Sequence, residues 1–282
     1  IPLPNSIAQN LQVIVVLALA IFYITSASTA LRQGIKTLSD VNMGLAICFL
    51  LFCIIVGPTG EILRLFLQSG WHYLTVVIKY PVALMADSAS DWRQEWTVPY
   101  YLWWVAWGPF IGVFIARISR GRTIREFILG VVFVPSLFSI LWFSTLGGGA
   151  MAEIASGADS IVSAMKKNYA EATYALVAVY PYAHLVTGIM MFLSFIFLVT
   201  SADSGAYVLG MFSERGNPNP KIRIRMFWGG LIAVLTVAAV QTDNSVEAIR
   251  LLSAVGAIPY LFIMMIQLFA LVSALRKDYL AP

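Results

Sequence analysis

Residues 96–122 read WTVPYYLWWVAWGPFIGVFIARISRGR. From Thr97 to Arg117 no charged side chain intervenes, and a helix over that span rises about 30 Å at ~1.5 Å per residue, the thickness of a bilayer's hydrocarbon core. Trp96 stands at one end and Arg117 at the other, which puts Trp107 near the middle of the membrane. Tryptophans in membrane proteins gather at the two interfaces. Trp96 fits such a belt and Trp103 fits it in part, whereas Trp107 lies too deep. At ~100° per residue Trp103 and Trp107 share a helix face, as do Trp104 and Trp107, with Phe110 a turn further on. Indole faces are the best cation–π partners, and clustered aromatics cage quaternary ammonium groups, which have no N–H to donate. The alternative is tight aromatic packing between helices. Pro109 removes the donor for the Val105 carbonyl. The result is either a simple kink or a helix broken at mid-membrane, as in secondary transporters, where freed carbonyls face substrate or ion.

The whole chain agrees with a membrane setting. Of 282 residues 60% are hydrophobic and only 11% charged, about half the charge of a soluble domain. A soluble fold of this length would lack its charged shell. Seven segments are apolar and long enough to span by the ~20-residue criterion: Asn10 to Leu31, Val41 to Pro58, Thr97 to Ile118, Ile124 to Leu146, His184 to Met211, Met226 to Gln241 and Val246 to Leu275. Residues 1–282 are expected to form one transmembrane domain of an all-α polytopic membrane protein. The connections 61–96 and 147–183 are expected to be external. Within them Glu61 to Leu84 and Met151 to Lys167 have the amphipathic pattern of surface-lying helices.

Of the 18 basic residues, 12 fall on one side of this topology: Arg32, Lys36, Arg117, Arg120, Arg122, Arg125, Arg215, Lys221, Arg223, Arg225, Arg276 and Lys277. The other 6 fall opposite, so the first side is expected to be cytoplasmic, the C-terminus with it. The net charge of +4 therefore reports topology and not a nucleic-acid partner. Cys48 and Cys53 lie i, i+5 on one helix, a poor geometry for a disulfide or a metal pair. His72 and His184 are far apart in external regions. No nucleophile–base pair, metal cluster or nucleotide-binding loop is present, so neither an enzyme nor ATP-driven transport is expected. The chain begins at Ile1 without Met or a leader, and is expected to be the later part of a longer protein.

A second polar interruption lies in residues 192–210, FLSFIFLVTSADSGAYVLG. Thr200, Ser201, Asp203 and Ser204 fall near mid-membrane depth, where polar groups are costly and suggest function. Two adjacent hydroxyl oxygens make a plausible sodium site, because hard cations take oxygen ligands. Small hydroxyl residues are also common packing glue between helices. Asp203 is expected to pair with an internal basic residue, to gate the cytoplasmic side, or to carry a proton.

Together these motifs resemble the betaine/choline/carnitine transporter family. The resemblance rests on WWVAWGPF followed directly by FIARISRGRTIREFILGV, on GIKTLSDVNM followed by IVGPT, and on TSADS. It implies a five-plus-five inverted-repeat fold, of which this chain supplies the last two helices of the first repeat and all of the second. It also implies a homotrimer in the plasma or inner membrane. By resemblance Trp103, Trp104 and Trp107 are the tryptophan motif of the substrate cage. Phe197, Thr200 and Ser201 belong to the sodium-site helix, and Phe110 lies near a second proposed sodium site. The family's sodium-independent exchangers carry arginine where Asn42 stands and lack the Thr–Ser pair, so these residues favour ion-coupled symport. The sequence departs from the family at Tyr101, where a tryptophan is frequent, at Gly108 before Pro109, and in GGGAMAEI at 147–154. The expected activity is sodium-coupled uptake of a betaine, choline or carnitine type solute, without a cofactor. The alternatives are a proton-coupled choline carrier and a non-transporting sensor. Substrate candidates are Tyr101, Trp103, Trp104, Trp107 and Phe110. Ion candidates are Phe197, Thr200 and Ser201. Asp203, Pro109 and Asn42 are the gating and coupling candidates.

Overall fold

Ten helices carry the described residues of the computed structural model, which are 5–28, 32–77, 96–242 and 245–280. They are α1 (Asn5–Ser28), α2 (Arg32–Val56), α3 (Thr59–Val76), α4 (Val98–Ile118), α5 (Ile124–Ala155), α6 (Asp159–Lys167), α7 (Tyr169–Ala178), α8 (Ala183–Ser213), α9 (Ile222–Val240) and α10 (Ser245–Leu280). No strand occurs among the described residues. Six of these helices contain stretches long and apolar enough to cross a membrane, in α2, α4, α5, α8, α9 and α10. The seventh expected span corresponds to α1, whose apolar stretch Asn10–Ser26 is shorter. Large apolar side chains stand exposed along these helices, among them Leu252, Val255, Phe262 and Phe269 of α10. Contiguous surface of that kind suits a hydrocarbon solvent and not water. The chain is an all-α, multi-pass membrane protein.

Two units divide the chain, and the division falls inside α8 between Ser201 and Ala202. In the first unit (Ile1–Ser28, Asp87–Arg120, Ala202–Pro282), α1 packs along α9 and α4 packs along α10. The Tyr23 hydroxyl of α1 donates to the Gly229 carbonyl of α9 at 2.8 Å. The second unit (Thr29–Ala86, Gly121–Ser201) holds an apolar cluster drawn from α2, α6, α7 and the N-terminal part of α8, with Phe49, Cys53, Ile161, Leu176, Val186, Met190 and Leu193 at its centre.

Helix α5 starts on a capping box, with Glu126 N–H donating to Thr123 Oγ1 and Thr123 N–H donating to Glu126 Oε2. Each bond satisfies a backbone donor that the first turn leaves unpaired. This accounts physically for the TIRE segment of the long basic motif. Two wider π-turns, Leu129–Phe133 and Ser144–Gly148, lie within α5. The first precedes Pro135, whose ring and missing N–H the wider turn accommodates. The second carries α5 on to Ala155, beyond the expected end at Leu146. Expected external segment 147–183 is thus the end of α5 followed by α6 and α7. Of the segment 61–96, α3 accounts for the part up to Val76, and residues 78–95 lie outside those described.

Tyr180 wedges the second unit together. Its hydroxyl is buried and has no hydrogen-bond partner. A Cβ on Gly57 would lie 2.6 Å from that oxygen and 2.6 Å from the Cys53 carbonyl, and one on Gly149 would lie 3.1 Å from the hydroxyl. Burial pushes the phenol up to about 12, with smaller contributions from Cys53 and Glu153, so Tyr180 stays neutral throughout the physiological range. A buried polar group without a partner costs stability. Tyr180→Phe is therefore expected to leave the melting temperature of the full-length protein unchanged or slightly raised. Gly57→Ala, which drives a methyl into backbone, should lower it by several degrees. A Tyr180→Phe variant that melts well below wild type would show that the hydroxyl has a partner after all.

Candidate functional site

The aromatic helix α4 runs without interruption from Val98 to Ile118, with Pro109 inside it. The broken-helix alternative is therefore not what the structure has, and the proline costs one backbone hydrogen bond within a continuous helix. Helix α10 approaches α4 at this point. A Cβ on Gly108 would lie 3.0 Å from Tyr260 Cε1, so a larger residue there would make the Tyr260 ring shift, and Pro259 of α10 is Tyr260's neighbour in sequence.

Four rings form a continuous stripe up α4. The Tyr100 and Trp104 centroids are 6.1 Å apart at 71°, Trp104 and Trp107 are 6.3 Å apart at 70°, and Trp107 and Phe110 are 6.5 Å apart at 46°. Edge-to-face and tilted pairs at these separations leave part of each π face available. Trp104 and Trp107 are 57% and 44% exposed, so their faces are open. At the far end of the stripe, Phe110 Cζ lies 3.7 Å from the position of a Cβ on Gly205. Trp103 and Tyr101 are exposed and join no ring pair among the described residues. Tyr100, not singled out from sequence, occupies the place in the stripe; its i, i+4 spacing to Trp104 is the signal that marks it.

In the second unit Thr200 donates its hydroxyl proton to the carbonyls of Ile196 at 2.9 Å and Phe197 at 3.1 Å. Its oxygen lone pairs are left to accept. Ser201 and Phe197 are exposed beside it on the same helix. Asn42 of α2 is only 2% exposed, and its Oδ1 has no hydrogen-bond partner. A buried acceptor without a donor is a group that a cation would satisfy.

Asp203 belongs to the first unit. It pairs with Arg225 of α9 at 3.3 Å, with both side chains 16% exposed. The buried Ser26 hydroxyl of α1 lies beside the same carboxylate.

The family model for betaine/carnitine/choline transporters matches residues 4–280. The chain belongs to this family. Among curated relatives of this family member, the ectoine/hydroxyectoine transporter of Virgibacillus pantothenticus is 35% identical over 91% of this chain and 51% of its own length. The glycine betaine transporter OpuD of Bacillus subtilis is 32% identical over 98% of this chain and 53% of its own. The high-affinity choline transport protein of Escherichia coli K12 is 32% identical over 98% of this chain and 41% of its own. The chain spans about half the length of the curated relatives it matches, or somewhat less.

Proposed function

We propose that the full-length protein takes up a small quaternary ammonium solute of the betaine or choline type by sodium-coupled symport with alternating access. The observation that carries this is the open stripe of Tyr100, Trp104, Trp107 and Phe110 on one membrane-spanning helix. Glycine betaine and choline, named in the relatives, share a trimethylammonium group. Only betaine adds a carboxylate, so what the two have in common is the cation. Such a cation desolvates at little cost and pairs with π faces instead of hydrogen-bond acceptors. Trp104 and Trp107 form the centre of the cage, Tyr100 and Phe110 extend it, and Trp103 and Tyr101 line its approach.

Sodium is the second cargo. The Thr200 hydroxyl oxygen, the Ser201 hydroxyl and the unpartnered Asn42 Oδ1 offer hard oxygen donors of the kind sodium takes. A proton-coupled carrier would draw on Asp203. That carboxylate is already engaged with Arg225, which favours sodium. In this reading the basic helix ends face the cytoplasm, as their charge bias favours, and the full-length protein works as a homotrimer in the cell membrane, as the sequence resemblance implies.

The decisive experiment is uptake of labelled glycine betaine, choline and carnitine by the full-length protein in proteoliposomes, with and without a sodium gradient. Sodium-dependent accumulation of at least one of them is expected. The variant Thr200→Ala with Ser201→Ala should raise the sodium concentration for half-maximal uptake about tenfold or more, leaving the solute requirement in place. Uptake driven by a proton gradient alone would replace sodium with the proton. Absence of uptake of all three solutes, with the protein folded, would favour a sensor.

A further inference from the structure

The basic ends of α4, α8 and α9 meet in a polar cluster that neither the aromatic stripe nor the hydroxyl pair uses. Tyr207 of α8 is its centre. The guanidinium carbons of Arg117 and Arg225 lie 5.3 and 5.2 Å from the Tyr207 ring centroid. The Tyr207 hydroxyl donates to the Pro218 carbonyl at 2.5 Å and accepts from Arg117 Nη1. Arg117 Nη1 also donates to the Pro218 carbonyl at 2.6 Å. Asp203, four residues before Tyr207 on the same face of α8, holds Arg225. Two guanidiniums over one ring repel each other, and the cluster holds because each has a separate anchor. Asp203 takes one, and the Pro218 carbonyl with the Tyr207 oxygen takes the other.

The turn between α8 and α9 is shaped to present that carbonyl. Arg215 and Gly216 both adopt positive φ, +57° and +85°. Gly216 N–H donates back to the Met211 carbonyl at 2.8 Å, which reverses the chain. Asn217 and Lys221 then bond to the Glu214 carboxylate. Two prolines, Pro218 and Pro220, stiffen the return. The Pro218 carbonyl is thus a fixed acceptor, and the chain end of α4 is tied to it through Arg117.

We propose that Tyr207 is a positioning residue for transport: it clamps the basic end of α4, the helix bearing the aromatic stripe, to α8 and to the 214–221 turn, and the clamp releases when the basic side opens. The proposal rests on the transport reading above, since Arg117 ends the helix that carries the stripe. Tyr207 touches neither substrate nor ion. It acts through Arg117 and Arg225, with the ring holding the two cations and the hydroxyl holding the turn.

The test uses purified full-length protein carrying a Ser204→Cys reporter, half-buried one turn before Tyr207, in a background otherwise free of reactive cysteines. The rate of labelling by a membrane-impermeant thiol reagent is measured without substrate in wild type, Tyr207→Phe and Tyr207→Leu. Tyr207→Phe keeps the ring between the arginines and loses both hydroxyl bonds, one of them to a charged donor. Labelling about tenfold faster is expected, with the melting temperature near wild type. Tyr207→Leu, which removes the ring as well, should label faster still. Equal rates in all three proteins would overturn the proposal, as would acceleration that appears only where the melting temperature falls. Tryptophan fluorescence quenching by glycine betaine and by choline is recorded on the same samples. Loss of quenching in wild type would remove the substrate assignment while leaving the labelling result to decide on the clamp.

Discussion

Trp107→Leu in the full-length protein is expected to weaken glycine betaine or choline binding by more than about thirtyfold while expression and melting temperature stay near wild type. Each part follows from the stripe. Trp107 touches both Trp104 and Phe110, so its removal separates the Tyr100–Trp104 pair from Phe110. A desolvated cation–π contact contributes about 2 kcal/mol or more, and every ~1.4 kcal/mol is tenfold in affinity. The fold survives because Trp107 is 44% exposed and leucine is as apolar as the indole it replaces. Trp107→Phe retains a smaller π face and should bind with intermediate affinity. Trp103→Leu is the discriminating control. The family motif groups Trp103 with the other two, but its ring lies outside the stripe, so the loss should be within about threefold. Isothermal titration or intrinsic fluorescence on detergent-solubilised protein measures all three. Wild-type affinity in Trp107→Leu would remove the cage. A loss at Trp103 as large as at Trp107 would move the cage to the other face of α4.

Much of this arrangement is legible in the residues because lipid imposes a simple rule. A helix that must cross about 30 Å of hydrocarbon shows as a charge-free run. The expected span Thr97 to Ile118 therefore differs by one residue from α4, and His184 to Met211 differs little from α8. The sequence misleads where tertiary contact overrides local preference. Gly147, Gly148 and Gly149 suggest a helix end, since glycine is a poor helix former. Yet α5 continues through a π-turn because Gly148 packs against Leu65, and Gly149 and Gly57 against Tyr180. Pro109 suggests a break as strongly as a kink, and helix α4 continues through it. Within the stripe, period alone relates Trp107 equally to Trp103 and Trp104, and only side-chain direction selects Trp104. The Tyr207 cluster is the least legible feature. It joins Arg117 to residues about 90 and 100 positions later. No periodicity encodes that register. Asp203 alone stands out in sequence, as a carboxylate in an apolar run that needs a basic partner, and the structure supplies Arg225.

Arg225→Met is expected to lower stability severely, Asp203→Asn moderately, and the double variant less than Arg225→Met alone. The ion pair is 3.3 Å long with both side chains 16% exposed, in a chain whose surroundings are hydrocarbon. Taking away one partner of a buried pair leaves the other charge uncompensated, which costs about 3–5 kcal/mol. Replacing both by groups of similar volume is close to neutral. The two single variants should differ. An orphaned Asp203 retains only the neighbouring Ser26 hydroxyl, whereas an orphaned Arg225 still packs over the Tyr207 ring, and its long stem lets the guanidinium reach toward water at the helix end. Melting temperatures of the four proteins complete a double-mutant cycle, and a coupling of at least about 1 kcal/mol is expected for groups in direct contact. Strict additivity would mean that the pair contributes nothing as a pair. Transport distinguishes structure from gating. If Asp203 serves only to hold α8 to α9, the double variant regains uptake along with stability. If its charge also controls the basic side, the double variant is folded and binds solute, but uptake and exchange remain slow. That second outcome would extend the clamp from Tyr207 to the carboxylate one turn above it.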